Sequence, residues 1–168
     1  MNSADLLRDA FDRILDNGRA AAEGLGREQL AHRPGGTGNS IAWLIWHAAR
    51  VQDDHVADLA GAEQAWTADG WAERFDLDLP LAATGYGHTA DEVDAVQADA
   101  PTLSGYLAAV HDRTVTFLRT LSAQDYDRVI DENWDPPVTL GVRLISVVDD
   151  DIQHVGQAAY VRGLLPQV

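Results

Sequence analysis

Leu6, Leu7, Ala10, Phe11, Ile14 and Leu15 fall at the i, i+3, i+4 spacing of a single helix face, and three later stretches of the chain repeat that spacing. Apolar residues with a period near 3.6 can be buried together only along a helix, because a strand would turn every second one into water. Almost no alternating, strand-like pattern competes with it. The chain is therefore restricted to helices packed on helices.

The boundaries follow from capping chemistry. Ser3 is placed to cap a first helix that runs to Leu25, with Gly24 and Gly26 marking its end. The loop HRPGGTGNS leads to Asn39 or Ser40, either of which can cap the second helix, IAWLIWHAARVQDDHVADLAG, ending at Gly61. Residues 62–100 read as a long crossover in which TADGWAERF and TADEVDAVQ form short helices around the turn-rich DLDLPLAATGYGH. Within it, Thr89 and Glu92 have the spacing of a capping box. Thr102 caps a third long helix, and Ser122 with Asp125 resembles another cap. DENWDPPV is a proline-containing connection, and a final helix covers about Thr139 to Leu164. The prediction is an all-α, four-helix bundle forming one domain over residues 1–168, with a long crossover carrying short helices between helices two and three.

Charge narrows the function classes. The net charge is -15 and all twelve basic residues are arginine. Phosphate recognition needs a basic patch that gains from counterion release, so nucleic acid is not an expected partner, and neither is an anionic membrane surface. No apolar run approaches the ~20 residues of a membrane span, and MNSADLLRDAFDRIL is acidic where a leader peptide would be basic. The expected location is the cytoplasm. With no cysteine in the sequence, thiolate metal ligands and a cysteine nucleophile are excluded.

The last helix contains VVDDDIQHVGQAAY, residues 147 to 160. At 100° per residue, Asp150 and His154 share a face with Val147, Ala158 and Val161, Asp149 points away, and Asp151 lies near the edge. Asp150 is then a carboxylate aimed at a core, where it must be protonated, paired with an arginine such as Arg50 or Arg143, or bound to a metal. Asp-x-x-x-His is a two-ligand clamp at helical spacing. On the second helix, His47 lies on the apolar face with Trp43, Leu44 and Val51. If those two helices face each other, His47, Asp150 and His154 make a three-ligand N/O/N set with open positions, as catalytic metal sites have. Zinc is the first expectation for such a set, and nickel, iron or manganese also accept imidazole with carboxylate.

Asn39-Ser-Ile-Ala-Trp-Leu-Ile-Trp-His47 and His154-Val-Gly-Gln157 resemble the two signature segments of the DinB superfamily of four-helix metalloproteins. The resemblance implies a divalent metal held by His47, Asp150 and His154. Many members have histidine where Asp150 stands, and a branch similar to mycothiol-dependent maleylpyruvate isomerase has glutamate, one methylene longer. It further implies a small thiol, mycothiol or a relative, activated for transfer to an electrophilic substrate, as an S-transferase or isomerase would do. Two other readings stay open: a non-catalytic metal or small-molecule binding protein with a stress-related role, and a metal-assisted hydrolase. A homodimer through exposed helix faces is expected by analogy. Among the remaining residues, Asp54 is read as a partner of an imidazole or as a solvated helix end. His55 and His111 are read as lying off the site, His88 as a loop or pre-cap residue and not a ligand, and the five tryptophans mostly as packing, with one or two able to wall the pocket. Gly156 is read as allowing close helix approach and Gln157 as a hydrogen-bonding neighbour of the ligands.

Overall fold

The computed structural model describes residues 2–166; the one-domain expectation also takes in Met1, Gln167 and Val168, which lie outside the described residues. The four long helices are α1 (Ser3–Ala22), α3 (Ile41–Ala60), α7 (Ala100–Leu118) and α8 (Leu140–Leu164). Each of α1 and α3 packs against both α7 and α8, which makes a four-cornered bundle with α1 and α3 on one diagonal. Between the first two long helices lie α2 (Arg27–Leu30) and a 3-10 turn at Pro34–Gly36. The crossover carries α4 (Ala65–Ala68), α5 (Trp71–Phe75) and α6 (Ala90–Ala95).

The caps correct several boundaries by a few residues. Asn2, not Ser3, caps α1, through a box with Asp5. Ser40 caps α3 by accepting from the Trp43 backbone N–H. Helix α7 starts before Thr102: Asp99 is its cap and accepts from the Thr102 N–H at 2.9 Å, with Pro101 tolerated in the first turn, where its missing N–H costs no bond. The Thr89–Glu92 box forms as expected. Ahead of α8, residues 129–139 fold back as a small antiparallel pair, β1 (Val129–Asp131) and β2 (Val138–Thr139), a hairpin that the proline-containing stretch did not announce.

The core is filled by Phe11, Ile14, Leu44, Trp46, Tyr106, Leu107 and Leu144, all essentially inaccessible to water. A polar cluster is buried inside it. Arg50 is fully enclosed, donates to the Ala83 carbonyl and to Gln64, and lies 3.7 Å from the Asp53 carboxylate. Asp53 in turn accepts from the backbone of Ala65 and Trp66 and from the Tyr106 hydroxyl, each at 2.8 Å. This cluster ties the start of α4 to α3 and α7, and so fixes where the crossover leaves the bundle.

Candidate metal centre

Helix α3 and helix α8 are neighbours, and their facing surfaces bring His47, Asp150 and His154 together. One ligand atom from each lies within 4.8 Å of the other two. His47 Nε2 is 3.9 Å from Asp150 Oδ2, and His154 Nε2 is 3.6 Å from Asp150 Oδ1. The imidazole rings stand nearly perpendicular, their centroids 4.7 Å apart. The two segments in which the sequence suggested ligands therefore converge on a single point.

The hydrogen bonds around the rings decide which nitrogen faces that point. His47 Nδ1 donates to the Thr84 carbonyl, and His154 Nδ1 donates to Gln157 Oε1 at 3.0 Å. An acceptor on Nδ1 fixes the proton there in the neutral ring and leaves the Nε2 lone pair free, the arrangement that ordinarily orients a metal-binding histidine. Asp150 Oδ2 is buried and has no hydrogen-bond partner. A buried carboxylate oxygen without a partner is costly. Neither arginine that could have neutralised it does so, since Arg50 pairs with Asp53 and Arg143 lies 3.6 Å from Asp131 and within hydrogen-bond reach of His55. The residues present thus fit a cation: two imidazole lone pairs and one unpartnered carboxylate oxygen, all aimed at one place.

The electrostatics agree. The neighbouring His154 imidazole holds the Asp150 carboxyl below the ordinary value, against the opposing effect of burial. Burial pushes His47 down, which favours the neutral ring that binds metals. Burial lowers His154 as well, but Asp150 and Gln157 outweigh it and the net shift is upward.

The helical wheel erred by one residue on the aspartates. Asp151, expected near the edge, is 0% exposed, whereas the Asp150 side chain keeps 39% of its exposure. The reason is that α8 packs against both α1 and α3, so its buried arc is wide and centred on Leu144, Val147, Asp151 and Val155. Asp150 and His154 lie on the α3 flank of that arc. Asp151 itself has no partner for either carboxylate oxygen, and burial together with the neighbouring Asp150 charge pushes its carboxyl well above the usual range.

Trp43 is one of the tryptophans that walls the site, and His88 and Gly85, which the sequence did not place there, join it. Trp43 stacks on His47 with ring centroids 4.6 Å apart and donates its indole N–H to His88 Nδ1 at 3.1 Å. His88 precedes the Thr89 cap of α6, as the sequence suggested, but it also holds the wall of the site and stacks on Trp46. Gly85 has φ +103°, and a Cβ there would lie 2.5 Å from His47 Nδ1. The GYG run was the available signal: glycines beside a histidine suggest close approach of backbone. Asp54 accepts from Gln64 and His111 pairs with Asp12, so neither reaches the site. Trp134 is exposed and packs no core. A cavity of about 480 Å³ opens between α3 and α7 beside Val56, Val110 and Phe117, and the three donors are not among its lining residues.

Residues 10–158 match the family model of the DinB superfamily. A solved structure, a conserved protein of Enterococcus faecalis, is 34% identical with a TM-score of 0.91, and the match covers 98% of this chain and 97% of that one. No curated protein matches. Among the described residues, no helix is long and apolar enough to cross a membrane.

Proposed function

The chain belongs to the DinB superfamily, and from that premise we propose that it is a divalent-metal-dependent enzyme that activates a small thiol, as an S-transferase or isomerase. The observation that carries the reading is the donor set: two Nε2 lone pairs and the unpartnered Asp150 Oδ2 converge, with each Nδ1 committed to a carbonyl oxygen. Zinc is the first candidate, and nickel, iron and manganese suit the same donors. A bound dication supplies Lewis acidity, which lowers the pKa of a thiol and holds it as the thiolate at neutral pH.

The chain's own residues favour an anionic sulfur partner. Two neutral imidazoles and one carboxylate carry a single negative charge, so a dication held by them keeps one positive charge. With no cysteine in the sequence, the sulfur must arrive on a small molecule, and mycothiol is the candidate that the resemblance suggests. In the transfer, the S–H bond breaks with its proton passing to water, and a new S–C bond forms at the electrophile. The electrophilic carbon's leaving group or conjugated π bond takes the displaced electron pair. Trp43 shields one side of His47, and the partly exposed Asp150 side chain marks the open side.

The test has two parts. Protein purified without chelator should contain about one divalent metal per chain, and His47→Ala or Asp150→Ala should lose it. The cobalt-substituted protein should then change its visible spectrum on titration with mycothiol or a related thiol. Absence of stoichiometric metal ends the metal reading, and a metal spectrum that no thiol perturbs ends the thiol reading alone.

A further inference from the structure

The cavity between α3 and α7 has no part in the thiol chemistry, since none of the three donors lines it. Its volume of about 480 Å³ lies within the roughly 300–1,000 Å³ typical of small-molecule sites. Val56, Ala57 and Val110 form a buried floor, and Ala60, Ala62 and Phe117 form the more open walls. Three of these six are alanine, so the two helices do not fill the space with side chains of their own.

The polar groups of this lining are one-sided. Thr114, Thr116 and Thr120 donate their hydroxyl protons to the backbone carbonyls of Val110, Asp112 and Phe117, at 2.9, 2.8 and 2.7 Å. A threonine whose proton is spent in this way has only lone pairs left for a guest. Arg113, the one cation in the lining, is turned to the Glu63 carbonyl at 2.7 Å and the Asp69 carboxylate at 2.8 Å. Glu63 and Asp112 add exposed carboxylates at the rim, and among the described residues no ion pair or hydrogen bond holds that of Glu63. The cavity therefore offers acceptors and almost no donors.

The helix ends add the same sign. Ala57 and Ala60 are in the last turn of α3 and Phe117 is in the last turn of α7, so both helices end at the cavity, where their dipoles are negative. Helices α1 and α8 meet that charge with Arg19 and Arg162 in their last turns, whereas α3 and α7 have no basic residue there. Arg119, which follows α7, is exposed and is not part of the lining. The Phe117 ring is a further attraction for a cation.

We infer that this cavity is a binding site for a small organic ammonium ion, with an apolar body against Val56, Val110 and Phe117 and an N–H-bearing head at the Glu63 rim. At the ~30 Å³ that one water takes up in the liquid, the space suits a guest of about fifteen non-hydrogen atoms. A carboxylate or phosphate would meet acceptors and negative helix ends. The site is separate from the metal centre and stands whether or not a metal is bound.

Amide NMR shifts of the full chain test this, with phenylbutylamine as the probe at neutral pH in salt of about 0.15 M to screen the acidic surface. The ammonium should shift Val56, Thr114 and Phe117 saturably, with a dissociation constant on the order of 0.1–1 mM. Phenylbutanol, with the same body and no charge, should bind about 10-fold more weakly, and phenylbutyrate should not saturate. Methylammonium reads the acidic surface alone and should leave these amides in place. Glu63→Gln should weaken the ammonium about 2–5-fold and leave the alcohol unchanged. Ala60→Phe should fill the mouth and abolish binding without changing metal content. The inference is overturned by no saturable shift up to about 5 mM ammonium, by alcohol or carboxylate binding as tightly, or by methylammonium moving the same amides. Ammonium binding that Ala60→Phe leaves intact also overturns it. So do Phe117 shifts that follow protein concentration and not the amine, because a second copy then covers the groove.

Discussion

Replacing Asp151 by leucine should stabilise the protein, although it removes one of three consecutive aspartates beside the candidate metal site. Asp151 is wholly enclosed and neither carboxylate oxygen has a partner. Kept ionised there, the group would cost several kcal/mol even after relaxation, so it holds its proton instead. A neutral carboxyl without partners still forfeits about 1–3 kcal/mol of lost hydration. Leucine has the same branching at Cγ and turns that loss into apolar contact with Val147 and Val155, less about 1 kcal/mol for its larger volume. The expected gain is about 1–2 kcal/mol below pH 4, where the carboxyl is protonated folded and unfolded alike, or roughly 3–8 °C in midpoint for a chain of this size, and it grows as pH rises.

The proton gives a second handle on the same residue. Asp151's carboxyl is raised in the folded state, so its stabilising contribution is complete below the unfolded value near 3.8 and is lost as pH rises towards the folded value. Across that window the wild type should lose up to ~1.4 kcal/mol per pH unit that Asp151→Asn does not lose. Urea unfolding of wild type, Asp151→Leu and Asp151→Asn at pH 5, 6 and 7.5, with chelator present, reads both effects. A leucine variant less stable than wild type by more than 1 kcal/mol, together with parallel pH slopes for wild type and the asparagine variant, would refute a neutral, unpartnered Asp151.

Gly85→Ala should cost about 1–3 kcal/mol of stability, because its left-handed backbone and the 2.5 Å approach to His47 both forbid a Cβ, and it should weaken metal binding in a competition titration. Metal affinity should fall as pH falls from 8 to 6, since His154 holds its proton more tightly than a free imidazole and must release it to bind; proton release measured during metal titration checks the sign. Asp53→Ala should destabilise by about 3–5 kcal/mol by stranding the enclosed Arg50 and freeing the start of α4, seen as a lower urea midpoint and faster hydrogen exchange at Ala65 and Trp66.

The helices and the pairing of Asp150 with His154 on one face were legible in the sequence because both depend on local periodicity. Caps such as Thr89–Glu92 lie within a few residues of what they cap, and Asp150 and His154 are neighbours on one helix by geometry alone. The aspartate lying deepest was misjudged because a wheel knows the helix but not how many neighbours it has, and α8 has two. The acceptor that orients His47 was invisible for a different reason: it is a main-chain carbonyl, and Thr84 has no side chain that advertises it. His88 was missed because its partner, Trp43, is 45 residues away.

The crossover stretch from Leu81 to His88 grips the bundle mainly through its backbone oxygens: Leu81 receives the Trp66 indole, Ala83 the Arg50 guanidinium and Thr84 the His47 ring. Such a strap depends on the path of the chain and little on its lettering, apart from the residue that touches His47. Tyr86 at its crest is 94% exposed and is held by none of these bonds. Evolution could therefore rewrite what the rim offers to visiting molecules, one substitution at a time, without loosening the grip on His47 beneath.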